Sequence, residues 1–510
     1  MHPSDYRRDY SAYHSAAERQ RFDSHAGITR EPDLRAVEDR YADLWTAEAI
    51  EDLRRPLEET PDQYGTERAG LRALVGAAES KHAELRAAEV SEELKRCAAA
   101  SFVEWGGGRV SAQDVPDLVA SETDDARRRE LARRWEDAAG VCEDLRSARL
   151  DALSEATRGL GREGRRALYE GFTGADLGRL AAGAELFLEM TESVYMSALA
   201  RWAARALPPG TGREQGRAEE FFFARASHLD AYFGAGDFPA VYKETLAGLG
   251  VRVESQKNLR VDSGERAGKS ARPACFAVKP PEDVRLVLDP RRGGVSFYRR
   301  ALREGGRAQM FAWASAEQSA RYPEFVYHPD GATGEGHALL LSSLLRDAGW
   351  VGAHRRVRAT EAEEVVRGVA LVELYEARRE CAALKYALSL DAAPDSRSAQ
   401  LAEEYVSSFG AATGFRHSAS TRLLDADADF GAARSLRARL FAAGFAEHLR
   451  GRHGRRWHLS RAAGDELIDV WNTAARYAVE ELARLVWGGE SGFELLAEDL
   501  TGVLEGGDVV

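Results

Sequence analysis

Cysteine is scarce in this 510-residue chain. Its 4 cysteines, Cys97, Cys142, Cys275 and Cys381, include no pair spaced for a zinc knuckle or a redox motif. That scarcity fits a reducing compartment. The start, Met1-His2-Pro3-Ser4-Asp5-Tyr6-Arg7-Arg8-Asp9, lacks the apolar stretch of a signal peptide. No apolar run reaches the roughly 18 residues of a membrane span. No basic tract with interleaved aromatics stands out, which sets nucleic acid aside as a partner. No Rossmann glycine fingerprint is present, and Gly106-Gly107-Gly108 has neither the spacing nor the lysine of a phosphate-binding loop, so it reads as a turn. Asp425, Asp427 and Asp429 alternate with alanines but lack the glycine turn and distal glutamate of a calcium loop. The expectation is a cytoplasmic protein with no membrane association.

What is present is the composition of a globular protein, 44% hydrophobic and 30% charged. The 83 acidic and 70 basic residues give a formal net charge of -13. Apolar residues recur every three or four positions through most of the chain, the period of amphipathic helices. Helices are expected over 33–55, 67–101, 124–152, 173–206 and 219–232. Ser111 is the expected cap of a further helix. Pro208-Pro209-Gly210 breaks the pattern. Phe221-Phe222-Phe223 reads as core packing, with a cleft wall as the alternative. Residues 251–289 form the only sustained stretch of strand character. There, Pro280-Pro281-Glu282 separates two apolar runs that would pair as a hairpin or as neighbouring strands. Gly293-Gly294 ends the strands. A helix beginning near Val295 follows, and another lies beyond Gly331. The division expected is a helical lobe over 1–250 and a second lobe over 251–510 that holds the small β region, with a single intertwined domain as the alternative.

The informative segment is Arg303-Glu304-Gly305-Gly306-Arg307-Ala308-Gln309-Met310-Phe311. It resembles the His-Glu-x-Gly-His-Ala-x-His motif of M3-like oligopeptidases. Arg303 and Arg307 stand at the two metal-binding histidines, Glu304 at the general base and Met310 at a third, non-ligating histidine. The flanks resemble the family too: the acidic–glycine–lysine stretch from Asp262 to Arg272, Gly293-Gly294, and Gly334-Glu335-Gly336-His337-Ala338, where Glu335 matches the third metal ligand. The match extends from about Val251 to Asp465. It implies a mainly α-helical, zincin-type fold, with lobes around a deep cleft and a small antiparallel β region. At positions where the family carries substrate-positioning tyrosines this chain has Gly431 and Ser435.

The departures decide the chemistry. Zinc needs electron-pair donors, and a guanidinium has none and stays cationic at neutral pH. Two arginines one helical turn apart face the same side and repel a dication. A metal with two carboxylates is nominally neutral, and so is the set Arg303, Arg307, Glu304 and Glu335. The guanidiniums are therefore expected to fill the metal space and pair with the glutamates. No metal or other cofactor is expected.

Three functions follow from the resemblance. One is a pseudoenzyme whose cleft binds a peptide or an anionic small molecule. The second is a metal-independent enzyme in which Arg303 and Arg307 bind substrate while Glu304, Glu335 or His337 transfers a proton. The third is a peptidase with a displaced metal site. Lys269, Arg272 and Arg285 are candidates for contacting an anion, or for holding the strand region together. His337 is a candidate acid or base, or a packed helix residue. His417 is a candidate for a substrate-facing loop, or a hydrogen-bonding structural residue. A thiol–histidine pair of Cys275 and His337 has no identifiable orienting residue.

Overall fold

The computed structural model describes residues 1–208 and 215–505. Twenty-two α-helices and five strands lie among them. Pro209 and Gly210, part of the expected break, lie outside the described residues.

Local capping explains where expected helices divide. The stretch 33–55 becomes Leu34–Arg40, a 3-10 turn at Ala42–Trp45, and Ala47–Glu59. Thr46 forces the second start, because its hydroxyl accepts the Ala49 N–H at 3.1 Å. The apolar spacing survives the break because the turn keeps Leu44 and Trp45 buried. The stretch 67–101 divides at Ala87 into Gly65–Arg86 and Ala88–Ala100. The stretch 124–152 divides into Asp125–Gly140 and Glu143–Gly159.

Gly106-Gly107 is a turn, as expected. Both residues have positive φ, 62° and 82°, which suits the tight connection of a hairpin. It joins strands β1 (Phe102–Trp105) and β2 (Gly108–Ser111). Residues 251–289 are therefore not the only strand region. Ser111 ends β2 and does not cap a helix, since the next helix begins at Val115 behind Asp114. Four-residue strands are too short to show period-2 alternation against a helical background.

The second sheet is three-stranded, β3 (Leu259–Asp262), β4 (Ala274–Lys279) and β5 (Asp283–Val287), in the order β3-β5-β4. The β4–β5 hairpin turns through Pro280-Pro281-Glu282 and is antiparallel, whereas β3 runs parallel to β5. The sheet is thus mixed. Central β5 carries Val284, Leu286 and Val287 at 0% exposure, with Arg285 between them also buried, so the strand is covered on both faces. The first helix, Pro3–His25, packs on β4 through Phe22 against Phe276 and so joins the N-terminal helices to the strand region. Phe223 is core, Phe222 lies under the Arg128 guanidinium and Phe221 meets Trp135 edge-on.

Cys97 and Cys142 form a disulfide, a bond that a reducing compartment, the reading drawn from cysteine scarcity, does not favour. It joins the end of the helix Ala88–Ala100 to the start of Glu143–Gly159 across 45 residues of sequence. No helix among the described residues is long and apolar enough to cross a membrane.

Candidate functional site

The centre is built on two touching helices, Val295–Trp313 and Ala332–Ser342. The first starts where Asp230 accepts the Val295 N–H at 2.9 Å, beside Gly294 at φ 86°. Its two internal glycines set the packing. A Cβ on Gly306 would stand 2.6 Å from the His337 carbonyl oxygen, so only glycine admits this approach. A Cβ on Gly305 would meet the Tyr242 ring at 2.5 Å, and the Tyr242 hydroxyl donates to the Gly305 carbonyl at 3.0 Å.

The polar stripe of the helix Val295–Trp313 is Arg299, Arg303 and Arg307, each four residues from the next. Nη1 of Arg307 donates to both Glu304 oxygens, at 3.0 and 2.9 Å. Its Nη2 donates to Oε2 of Glu335 across the helix interface. Arg303 stands 3.5 Å from the other Glu335 oxygen. Oε2 of Glu304 also accepts the Cys275 N–H at 3.1 Å, which ties the helix to β4. Arg299 reaches Glu376 at 2.7 Å on the long helix Ala359–Ala392. Glu376 and Glu380 of that helix also hold Arg439, at 3.2 and 2.7 Å.

Charges sustain one another along this chain of pairs. Burial works against the Arg307 cation, yet Glu304 and Glu335 outweigh it and hold the guanidinium above its ordinary range. Burial likewise works against the Glu376 carboxylate, and Arg299, Arg439 and Arg303 hold it below the usual carboxylate range. The Cys275 thiol is pushed well up by burial and by Glu304, which leaves it protonated and a poor nucleophile.

Arg307 and Glu335 open onto a cleft of about 670 Å³. Its opposite wall comes from the N-terminal part of the chain: Tyr10, Tyr13 and His14 of the first helix, with Trp45. His14 stacks on Tyr327 with ring centres 4.7 Å apart, and the Tyr10 hydroxyl donates to the Tyr327 carbonyl at 2.6 Å. Glu304 and Arg303 lie behind the lining.

The other expected residues stand elsewhere. His337 is 2% exposed in a box of Phe441, Phe445 and Trp471, and neither ring nitrogen has a hydrogen-bond partner among the described residues. Burial lowers its pKa to about 3, so it is neutral. Lys269 closes the loop after β3, donating to Asp262 Oδ1 at 3.0 Å and to the Asp262 and Gly264 carbonyls at 2.8 Å each. Arg272 pairs with Asp117 on the surface at 3.1 Å. Arg285 pairs with Asp283 at 2.7 Å and lies over the Phe22 ring. His417 is buried between Tyr405 and Thr413, 3.6 Å from Glu220, and burial lowers its pKa to about 4.

Two contributions escaped the sequence reading. Arg299 continues the arginine stripe, and its four-residue spacing was visible. The first-helix wall depends on long-range packing that no local pattern carries.

No protein-family profile matches the chain, and no curated protein matches it. A solved structure, PZ peptidase A with inhibitor 2, matches with a TM-score of 0.60 at 12% identity, over 92% of this chain and 86% of that one. The fold is peptidase-like. Among the described residues no group of three or more His, Cys, Asp or Glu side chains could hold a metal ion. The geometry does not build a conventional zinc peptidase centre.

Proposed function

We propose that the chain is an M3-like peptidase relative that has lost its zinc site, and that its cleft binds a peptide or an anionic small molecule without hydrolysing it. One observation carries this reading: the Arg307 guanidinium sits between Glu304 and Glu335, the two carboxylates that the resemblance assigns to the general base and the third metal ligand. A side chain without a lone pair occupies the centre and bonds both, and together with Arg303 it balances their charge. Glu304 is bound by Arg307 and the Cys275 amide, so its carboxylate is not free to activate water. The metal-independent enzyme draws less support, because both glutamates are engaged and His337 faces the core. Mapping Arg303 and Arg307 onto the metal positions belongs to this proposal, as does the cytoplasmic location.

The test is elemental analysis of untagged protein made with zinc supplied during expression, alongside a peptide-cleavage assay with and without chelator. Sub-stoichiometric metal and no chelator-sensitive cleavage are expected. One tightly held metal per chain with chelator-sensitive cleavage would sink the proposal.

A further inference from the structure

The charged lining of the cleft resolves into internal pairs with two exceptions. Arg21 pairs with Glu18 at 2.7 Å, and Lys81 with Glu84 at 3.2 Å. Arg165 pairs with Asp391 at 3.2 Å, and Asp330 with Arg437 at 2.8 Å. Arg307 and Glu335 hold each other. The exceptions are Asp429 and Arg434, which line the same cleft. Among the described residues neither side chain makes a hydrogen bond or an ion pair; desolvation within the cleft raises the Asp429 carboxyl above its ordinary range, and Arg149 and Arg165 oppose this only at longer range, so an ammonium would meet a carboxylate short of a cation. Nearby Asp427 is already taken, accepting the Gly431 and Ala432 amides at 2.8 and 2.7 Å.

Asp429 directly precedes Phe430, the residue before the helix Gly431–His453, and Arg434 lies about one turn into that helix. The Phe430 φ of 52° is an unfavourable conformation for a bulky side chain, so packing holds this segment in a fixed shape. Both charges are exposed to the cleft, and the lining also offers half-buried aromatic rings, Phe172, Phe311 and Tyr327. One cation, one anion and aromatic surface in one hollow match a particular ligand chemistry. A guanidinium grips a carboxylate through two parallel bonds. A carboxylate receives an ammonium, and rings receive a ring.

We propose that Arg434 and Asp429 bind the carboxylate and the ammonium of a zwitterionic small molecule with an aromatic body, of which an aromatic α-amino acid is the simplest. The inference deepens the ligand-binding reading above and rests on it. The probes are L-tyrosine, tyramine, which lacks the carboxylate, and 3-(4-hydroxyphenyl)propionate, which lacks the ammonium. Binding is measured by isothermal titration calorimetry on the full chain.

L-tyrosine is expected to bind, and each single-charge analogue to bind roughly tenfold more weakly or worse. Arg434→Gln should weaken L-tyrosine and the propionate while sparing tyramine. Asp429→Asn should weaken L-tyrosine and tyramine while sparing the propionate. Thermal unfolding of both variants confirms that they fold, as expected for exposed side chains without partners. Absence of L-tyrosine binding at millimolar concentration overturns the inference, and so does equal binding of all three probes. Elemental analysis on the same sample separates the two failures. Metal-free protein that ignores L-tyrosine sinks only the zwitterion, whereas a metal-loaded, cleaving protein sinks the reading beneath it.

Discussion

Placing histidines at positions 303 and 307 tests the proposed mapping of Arg303 and Arg307 directly. In the double variant R303H/R307H the local charge changes from zero to -2 at alkaline pH, because Glu304 and Glu335 lose both cations. Glu304 is 8% exposed, and the Glu335 side chain keeps 20% of its exposure. Stripping one side of a buried pair costs about 3–5 kcal/mol. The partial exposure of Arg307 and Glu335 places the expected loss near the lower end, about 3 kcal/mol. Zinc should return it: two imidazoles one turn apart with the facing Glu335 form a three-donor set. A metal present at about a thousandfold above its Kd stabilises the folded state by about 4 kcal/mol. The assay is thermal unfolding of both proteins with zinc and with chelator, plus zinc stoichiometry. The variant should melt below wild type in chelator and recover in zinc, while wild type stays indifferent. A variant whose Tm ignores zinc, and which is as stable as wild type without it, would show that Arg303 and Arg307 do not stand at metal positions.

Three further perturbations address the surrounding structure. His337→Leu should flatten the acid limb of the stability curve. The folded-state pKa of about 3 lies below the unfolded value, so this histidine's share of stability is present above about pH 6.5 and lost as pH falls toward 3, at about 1.4 kcal/mol per pH unit. Urea unfolding at pH 5 and pH 8 checks this, and an unchanged pH dependence would count against it. Glu324 behaves with the opposite sign. Burial raises its carboxyl to about 7 despite Arg7, so its contribution is present below about pH 4.5 and lost as pH rises through 7. Glu324→Gln should therefore gain on wild type between pH 5 and 8, and a flat difference across that range would refute it. Gly306→Ala should cost about 1–3 kcal/mol, because its Cβ meets the His337 carbonyl at 2.6 Å and backbone cannot swing aside. Equal denaturation midpoints would show that the helices yield.

Much of the centre was legible because it is local. Gly293-Gly294 marks the start of the arginine helix, and four-residue spacing places Arg303 and Arg307 on one side. The β4–β5 hairpin was legible from its proline turn. Its parallel neighbour β3 was not, since strand direction is fixed by a crossover that no short window contains. The packed setting of His337 was one of its two readings, and helix geometry favours it: two residues along a helix turn it by about 200°, away from Glu335. The settings of Lys269 and His417 depend on partners met only after folding, the backbone carbonyls of a loop in one case and Glu220 in the other. The disulfide joins cysteines 45 residues apart, and nothing in their spacing announces it.

The placement of Arg307 bears on what the protein requires of its surroundings. An ion held between two carboxylates comes and goes with its concentration outside, so a metalloprotein is complete only where its metal is supplied. A guanidinium attached to the same helix as one of its carboxylates cannot diffuse away. Its occupancy is the same in dilution, in starvation for metals and beside a strong chelator. The centre is finished when the chain is, and the shape of the cleft floor it supports, including the edge formed by Glu335, is independent of supply.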